Sequence, residues 1–179
     1  MSALIAFLAV SVPVYAQSAQ YAQSLDANKI GCLVNEYRRR NNLNLLQQSV
    51  PLQSTSSDFA TYLTTQSTLV TADAAGNGAG ARADQHGFPW VFVSQTLAEG
   101  YTNEVDFVNA MIADTPSNGN LLQAGISKIG VGVANNSTTG NVVVVMQGCM
   151  GEGIGPQLDC TAYGDLTAFK LDGTITSGN

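Results

Sequence analysis

At 179 residues the chain is long enough for one domain with a substantial core. Seven Lys and Arg against 13 Asp and Glu give a formal charge of −6, and only 11% of residues are charged. That balance excludes nucleic acid as a partner, because phosphate binding needs clustered cations and the only basic run is Arg38, Arg39 and Arg40.

Residues 1–16 hold an uncharged, mostly apolar run that is too short and interrupted for a stable membrane span and ends in Val14, Tyr15 and Ala16. The pattern predicts a secretory leader cleaved after Ala16, leaving an extracellular chain that begins at Gln17. No second apolar span follows. Secretion places Cys32, Cys149 and Cys160 in oxidising surroundings, so one disulfide and one thiol are expected. Three pairings are open. Cys149 with Cys160 closes the shortest loop and is favoured over either partner for Cys32.

After a short polar stretch, Ile30, Leu33, Val34 and Tyr37 repeat at helical spacing. Asp26 stands where a cap is needed, Arg38, Arg39 and Arg40 fill the last turn as a solvated, dipole-matched end, and Asn41 and Asn42 supply the stop. Leu43, Leu45 and Leu46 return to an apolar setting. A second helix follows over 49–70, with Ser49 as cap, Pro51 in the first turn and Leu52, Phe59, Ala60 and Leu63 facing inward.

Residues 71–87 are rich in Ala, Gly, Asn and Asp and read as a mobile surface loop with one helical turn near 81–85. Their GNGAG lacks the GK[ST] ending of a phosphate loop and follows no strand. Residues 88–93, FPWVFV, read as buried or half-buried. Residues 104–113 form a third helix, capped by Thr102 or Asn103 and ended by Asp114, Thr115 and Pro116. Residues 117–127 read as loop, with Leu121 and Leu122 buried.

The strands come late. IGVGVA at 129–134 alternates β-branched residues with glycines whose bare face admits a close neighbour. VVVVMQ at 142–147 pairs with it as an antiparallel hairpin, buried on both faces. Helices followed by a sheet predict an α+β fold. The seven-residue loop between the strands carries overlapping sequons at Asn135 and Asn136, and a glycan on one is expected. The glycine-rich tail, 151–179, reads as an irregular wrap tied by Cys160, with a short strand near 166–171.

Several segments resemble one known family in order and spacing. Leu33, Val34 and Asn35, then Arg38, Asn42, Leu43 and Leu46, are similar to the opening helix of the CAP superfamily, which joins cysteine-rich secretory proteins, antigen 5 and pathogenesis-related class 1 proteins. Leu52, Ala60 and Leu63 match its second helix. Residues 94–101, SQTLAEGY, match the segment written G-E-N-I/L-A-x-G. Residues 129–134 and Val145, Met146 and Gln147 match its last strands. The likeness covers about 27–148. It implies a secreted αβα sandwich, a central antiparallel sheet between helical layers, with a domain over 24–150 and the tail as an extension.

Many members bind a divalent ion through two histidines and two acids. The matching positions here are Val70 or Thr71, Gln95, Asp114 and Ser117, of which only Asp114 is a carboxylate. No metal site, no cofactor and no catalysis are therefore expected. The lone histidine, His86, reads as a surface or capping residue; a rebuilt hydrolase or metal site from His86, Asp84 and Asp114 is the competing reading. What the resemblance leaves is binding. A groove for a sterol or fatty acid would use Phe88, Trp90, Met111, Ile112 and Leu122, with Gln95, Asp114 and Ser117 at its mouth. The alternative is contact with an extracellular protein through 71–87. The chain is expected to be a monomer.

Overall fold

The computed structural model describes residues 24–150 and 156–176. The predicted leader lies outside them. The first helix, α1 (Ala27–Arg40), is capped by Asp26, whose carboxylate accepts from the amides of Asn28 and Lys29. Its end is set by Asn42 in the left-handed region, φ 56°. Ile30, Leu33 and Val34 are fully buried. The basic run is not a uniformly solvated end. Arg39 and Arg40 pair with Glu36 at 2.7 and 2.8 Å. Arg38 is buried and donates to the carbonyls of Asn44, Leu121 and Gln123.

A two-residue strand, β1 (Gln47–Gln48), leads into α2 (Val50–Leu63), which has Ser49 as cap and proline in its first turn. Then come α3 (Ala79–Gln85), β2 (Trp90–Tyr101), α4 (Glu104–Ala113), α5 (Thr115–Leu121), β3 (Lys128–Asn136) and β4 (Gly140–Met150). Two of these correct the sequence reading. β2 is a twelve-residue strand where only a buried or half-buried hexapeptide was expected, with Trp90, Val91 and Phe92 exposed, and α5 is a helix inside an expected loop, with Asp114 ending α4 and capping α5 at once.

The sheet order is β1-β3-β4-β2. β4 pairs antiparallel with β3 and β2, while β1 runs parallel to β3. The turn between β3 and β4 is shorter than predicted, since pairing continues from Asn136 to Gly140. Alternation along β4 divides the core. Val142, Val144 and Met146 meet α2 and α3; Val143 and Val145 meet the layer of α1, α4 and α5. The result is the predicted αβα sandwich.

Gly130 and Gly132 let α2 lie almost on the strand. A Cβ at these positions would fall 2.2 Å from the Leu52 carbonyl carbon and 2.1 Å from the Ser56 oxygen. The Gln53 side chain bonds both the N–H and the carbonyl of Val131, and so closes the edge of β3 where β1 stops.

The tail crosses back over this frame. The Gln48 amide donates to the Pro156 carbonyl, Leu158 packs over Gly31, and Cys160 pairs with Cys32 of α1. The favoured Cys149–Cys160 bridge is thus not formed, and Cys149 keeps its thiol. The reason is the path of the chain: the tail returns to α1 while Cys149 stays in register with Phe92. Arg40 binds the carbonyls of Leu166, Thr167 and Phe169, and Asn109 accepts from the amides of Asp172 and Gly173. Where a strand was expected near 166–171 there is a 3-10 turn, Leu166–Ala168.

Candidate functional site

β2 brings two halves of a site to opposite faces of the sheet. On the α2 side, Gln95 accepts from the Arg82 guanidinium and donates to the Thr71 carbonyl at 3.1 Å. Arg82 comes from α3. It also donates to the carbonyls of Thr71 and Asn77, and its guanidinium lies 3.5 Å from the centroid of the Phe59 ring. Burial lowers its pKa from the ordinary value, with Asp73 acting in opposition, and the group stays charged. Asp73 accepts from the amides of Ala75 and Asn77, so the expected mobile loop is pinned from within and from Arg82.

This arrangement bears on the metal that the resemblance brings to mind. Gln95 and Thr71, two of the matching positions, already face a guanidinium. A divalent ion there would meet a fixed positive charge and a neutral amide. Asp114 accepts both the Ser117 amide and hydroxyl, at 3.0 and 2.6 Å, and these bonds hold its carboxyl below the ordinary value. The residues present do not fit a metal, and among the described residues no three His, Cys, Asp or Glu converge.

On the other face, β2, α4 and α5 enclose a cleft of about 230 Å³. Ala98, Tyr101, Phe107 and Met111 line it, with Thr96, Ala110, Asp114 and Ser117. Tyr101 and Phe107 meet edge to face, with centroids 5.7 Å apart.

The predicted groove is therefore split. Met111, Asp114 and Ser117 share the cleft, and Ile112 is buried in the core beneath it. Phe88 is buried in the α2-side core, and Trp90 reaches α3, donating to the Gly80 carbonyl at 3.1 Å. Gln95 is engaged with Arg82. Leu122 ends α5 half-buried. The sheet stands between the two groups, so Phe88 and Trp90 cannot line one groove with Met111 and Ile112.

His86 ends α3 and lies 3.4 Å from Asp58, not beside Asp84. They border a hollow of about 350 Å³ with Asp73 and Arg82, whereas Asp84 borders a different hollow and Asp114 the cleft. His86, Asp84 and Asp114 do not form one centre. Arg82, which organises the α2-side half, was missed by sequence reasoning; its one signal was being the sole cation between residues 41 and 127.

An αβα sandwich with a pinned loop on one face of its edge strand and a cleft on the other defines the class of protein. Residues 33–147 match the family model described as cysteine-rich secretory protein family, and the chain belongs to that family, CAP. No curated protein sequence gives a significant match. Among solved structures, an outer surface protein of Borrelia burgdorferi superposes with a TM-score of 0.63 at 20% identity, covering 71% of this chain and 97% of that one. An extracellular protein with an SCP domain from Bacillus anthracis gives 0.64 at 16% identity, covering 69% and 40%. A cysteine-rich secretory protein from Staphylococcus aureus gives 0.55 at 12%, covering 68% and 37%. These likenesses show the fold. No helix among the described residues is long and apolar enough to cross a membrane.

Proposed function

We propose that the protein works outside the cell as a non-catalytic binding module, and that the cleft between β2, α4 and α5 takes a slender apolar ligand with an uncharged polar head. The cleft carries this reading. Its wall of Ala98, Tyr101, Phe107 and Met111 is apolar, and Asp114 and Ser117 are the polar groups beside it. Burial of an alkyl chain supplies about 25 cal/mol per Å² removed from water. Volume favours one side of the expected sterol or fatty-acid pair: about 230 Å³ lies below the usual range of roughly 300–1,000 Å³ for ligand pockets, which suits an acyl chain over fused rings.

The head group follows from charge. Ser117 holds Asp114 ionised, so a free carboxylate would meet a like charge, whereas a hydroxyl or amide can donate to it. A fatty alcohol or monoacyl ester fits better than a fatty acid.

The secretory family and its extracellular neighbours support export, with residues 1–16 as leader, 24–150 as the module and 151–179 as its extension. The Cys32–Cys160 bridge agrees with an oxidising compartment. Of the two sequons, Asn135 is the better glycan acceptor, since it is exposed whereas Asn136 is half-buried and donates its amide to the Thr64 carbonyl at 3.0 Å.

Titration of delipidated protein with a fluorescent long-chain monoacylglycerol tests the cleft. Saturable 1:1 binding in the micromolar range is expected, lost in Ala110→Trp, which fills the space. Absence of binding, or equal binding by Ala110→Trp, would overturn the reading.

A further inference from the structure

We propose that the outer edge of β2 is a docking strand for an extended basic segment of another extracellular protein. This is independent of the cleft. β2 is last in the sheet and bonds β4 on one side only. Among the described residues, no other segment's backbone bonds its second edge. Register shifts fall at Trp90/Phe92 and Glu99/Tyr101, and the eight residues between them, 92–99, pair without interruption. That run presents the unbonded N–H and carbonyl groups that strand addition requires.

Its start is apolar. Trp90, Val91 and Phe92 are 40%, 73% and 38% exposed, three consecutive large apolar residues open to solvent. Native edges are usually blunted by charge, and residues 90–92 carry none.

Charge identifies the occupant. Residues 41–127 hold seven acids and one arginine, and that arginine is buried under the loop. Along β2, Asp84 lies beside Pro89 and Glu99 sits on the strand. The side chains of Asp84 and Glu99 have no hydrogen bond or ion pair among the described residues. A peptide on this edge would therefore pass acidic groups at both ends and no exposed Lys or Arg. Lys or Arg alternating with apolar residues matches that pattern, and an acidic strand does not. A second copy of this chain, itself acidic, is disfavoured.

The probe is a nine-residue peptide alternating Lys and Val, with its Glu/Val counterpart as control, titrated into the full chain. Amide hydrogen exchange and affinity are the readouts. Expected are slowed exchange within residues 91–99, at least tenfold weaker binding at 0.5 M salt than at 0.05 M, and a similar loss in the double variant Asp84→Lys, Glu99→Lys. Val91→Ser, at an exposed position, should weaken binding several-fold without changing the melting temperature. Equal binding of the Glu/Val peptide, protection elsewhere than β2, no binding at millimolar peptide, or protection of β2 by self-association would each overturn the proposal.

Discussion

Arg82 is 5% exposed, yet its guanidinium meets only neutral acceptors and an aromatic ring. Arg82→Met keeps a side chain against Phe59 but strips the donors from Thr71, Asn77 and Gln95. Leaving such acceptors unmatched costs about 3 kcal/mol, read as a lower urea midpoint; Lys should recover little, because it lacks the planar fork. Glu36 is the other buried charge with a measurable consequence. Its hydrogen bond from Arg39, opposed by burial and reinforced by Arg40, holds the carboxyl below the ordinary 4.5. The folded state therefore binds fewer protons than the unfolded one. The contribution is complete above about 4.5 and is lost as pH falls through the lowered value. Melting temperature should drop on acidification below that point, and less steeply in Glu36→Gln.

At the scale of elements, the contact of α2 with β3 decides how close the layers lie. Gly132→Ala sets a methyl 2.1 Å from the Ser56 carbonyl oxygen, and the helix backbone cannot yield as a flexible side chain would. A loss of about 3 kcal/mol is expected from calorimetry, at the upper end for overpacking. Gly119→Ala is the control: nothing lies within 4 Å of its added carbon, and stability should hold or rise slightly. The interval of two between Gly130 and Gly132 was legible in the sequence, and so was the bare face it implies. The caps Asp26, Ser49 and Asn103 were legible for the same reason: each acts within three residues of itself. β2 was not. An edge strand is covered on fewer sides, so it shows little apolar alternation, and residues 94–101 were recognisable only by the family segment they match.

For the whole molecule, the Cys32–Cys160 bridge joins positions 128 apart and ties the tail to α1. Replacing both cysteines by alanine should cost about 3 kcal/mol, mainly by freeing the unfolded chain, and lower the melting temperature. Thiol titration of the denatured, unreduced wild type should return one thiol, Cys149.

By itself the sequence determined what depends on near neighbours or on pattern: helix starts and stops, the buried valine strand, the family, and the lack of a histidine–carboxylate set. Tertiary structure alone decided what depends on where distant segments meet. The sheet stands between Phe88 and Met111, which lie in opposite cores, and so divided the expected groove. The returning tail chose the disulfide. The fold also buried two arginines, Arg38 and Arg82, that composition would place in water: each guanidinium bonds carbonyls of segments outside its own helix, Asn44 and Gln123 for Arg38 and Thr71 for Arg82, that pattern cannot position.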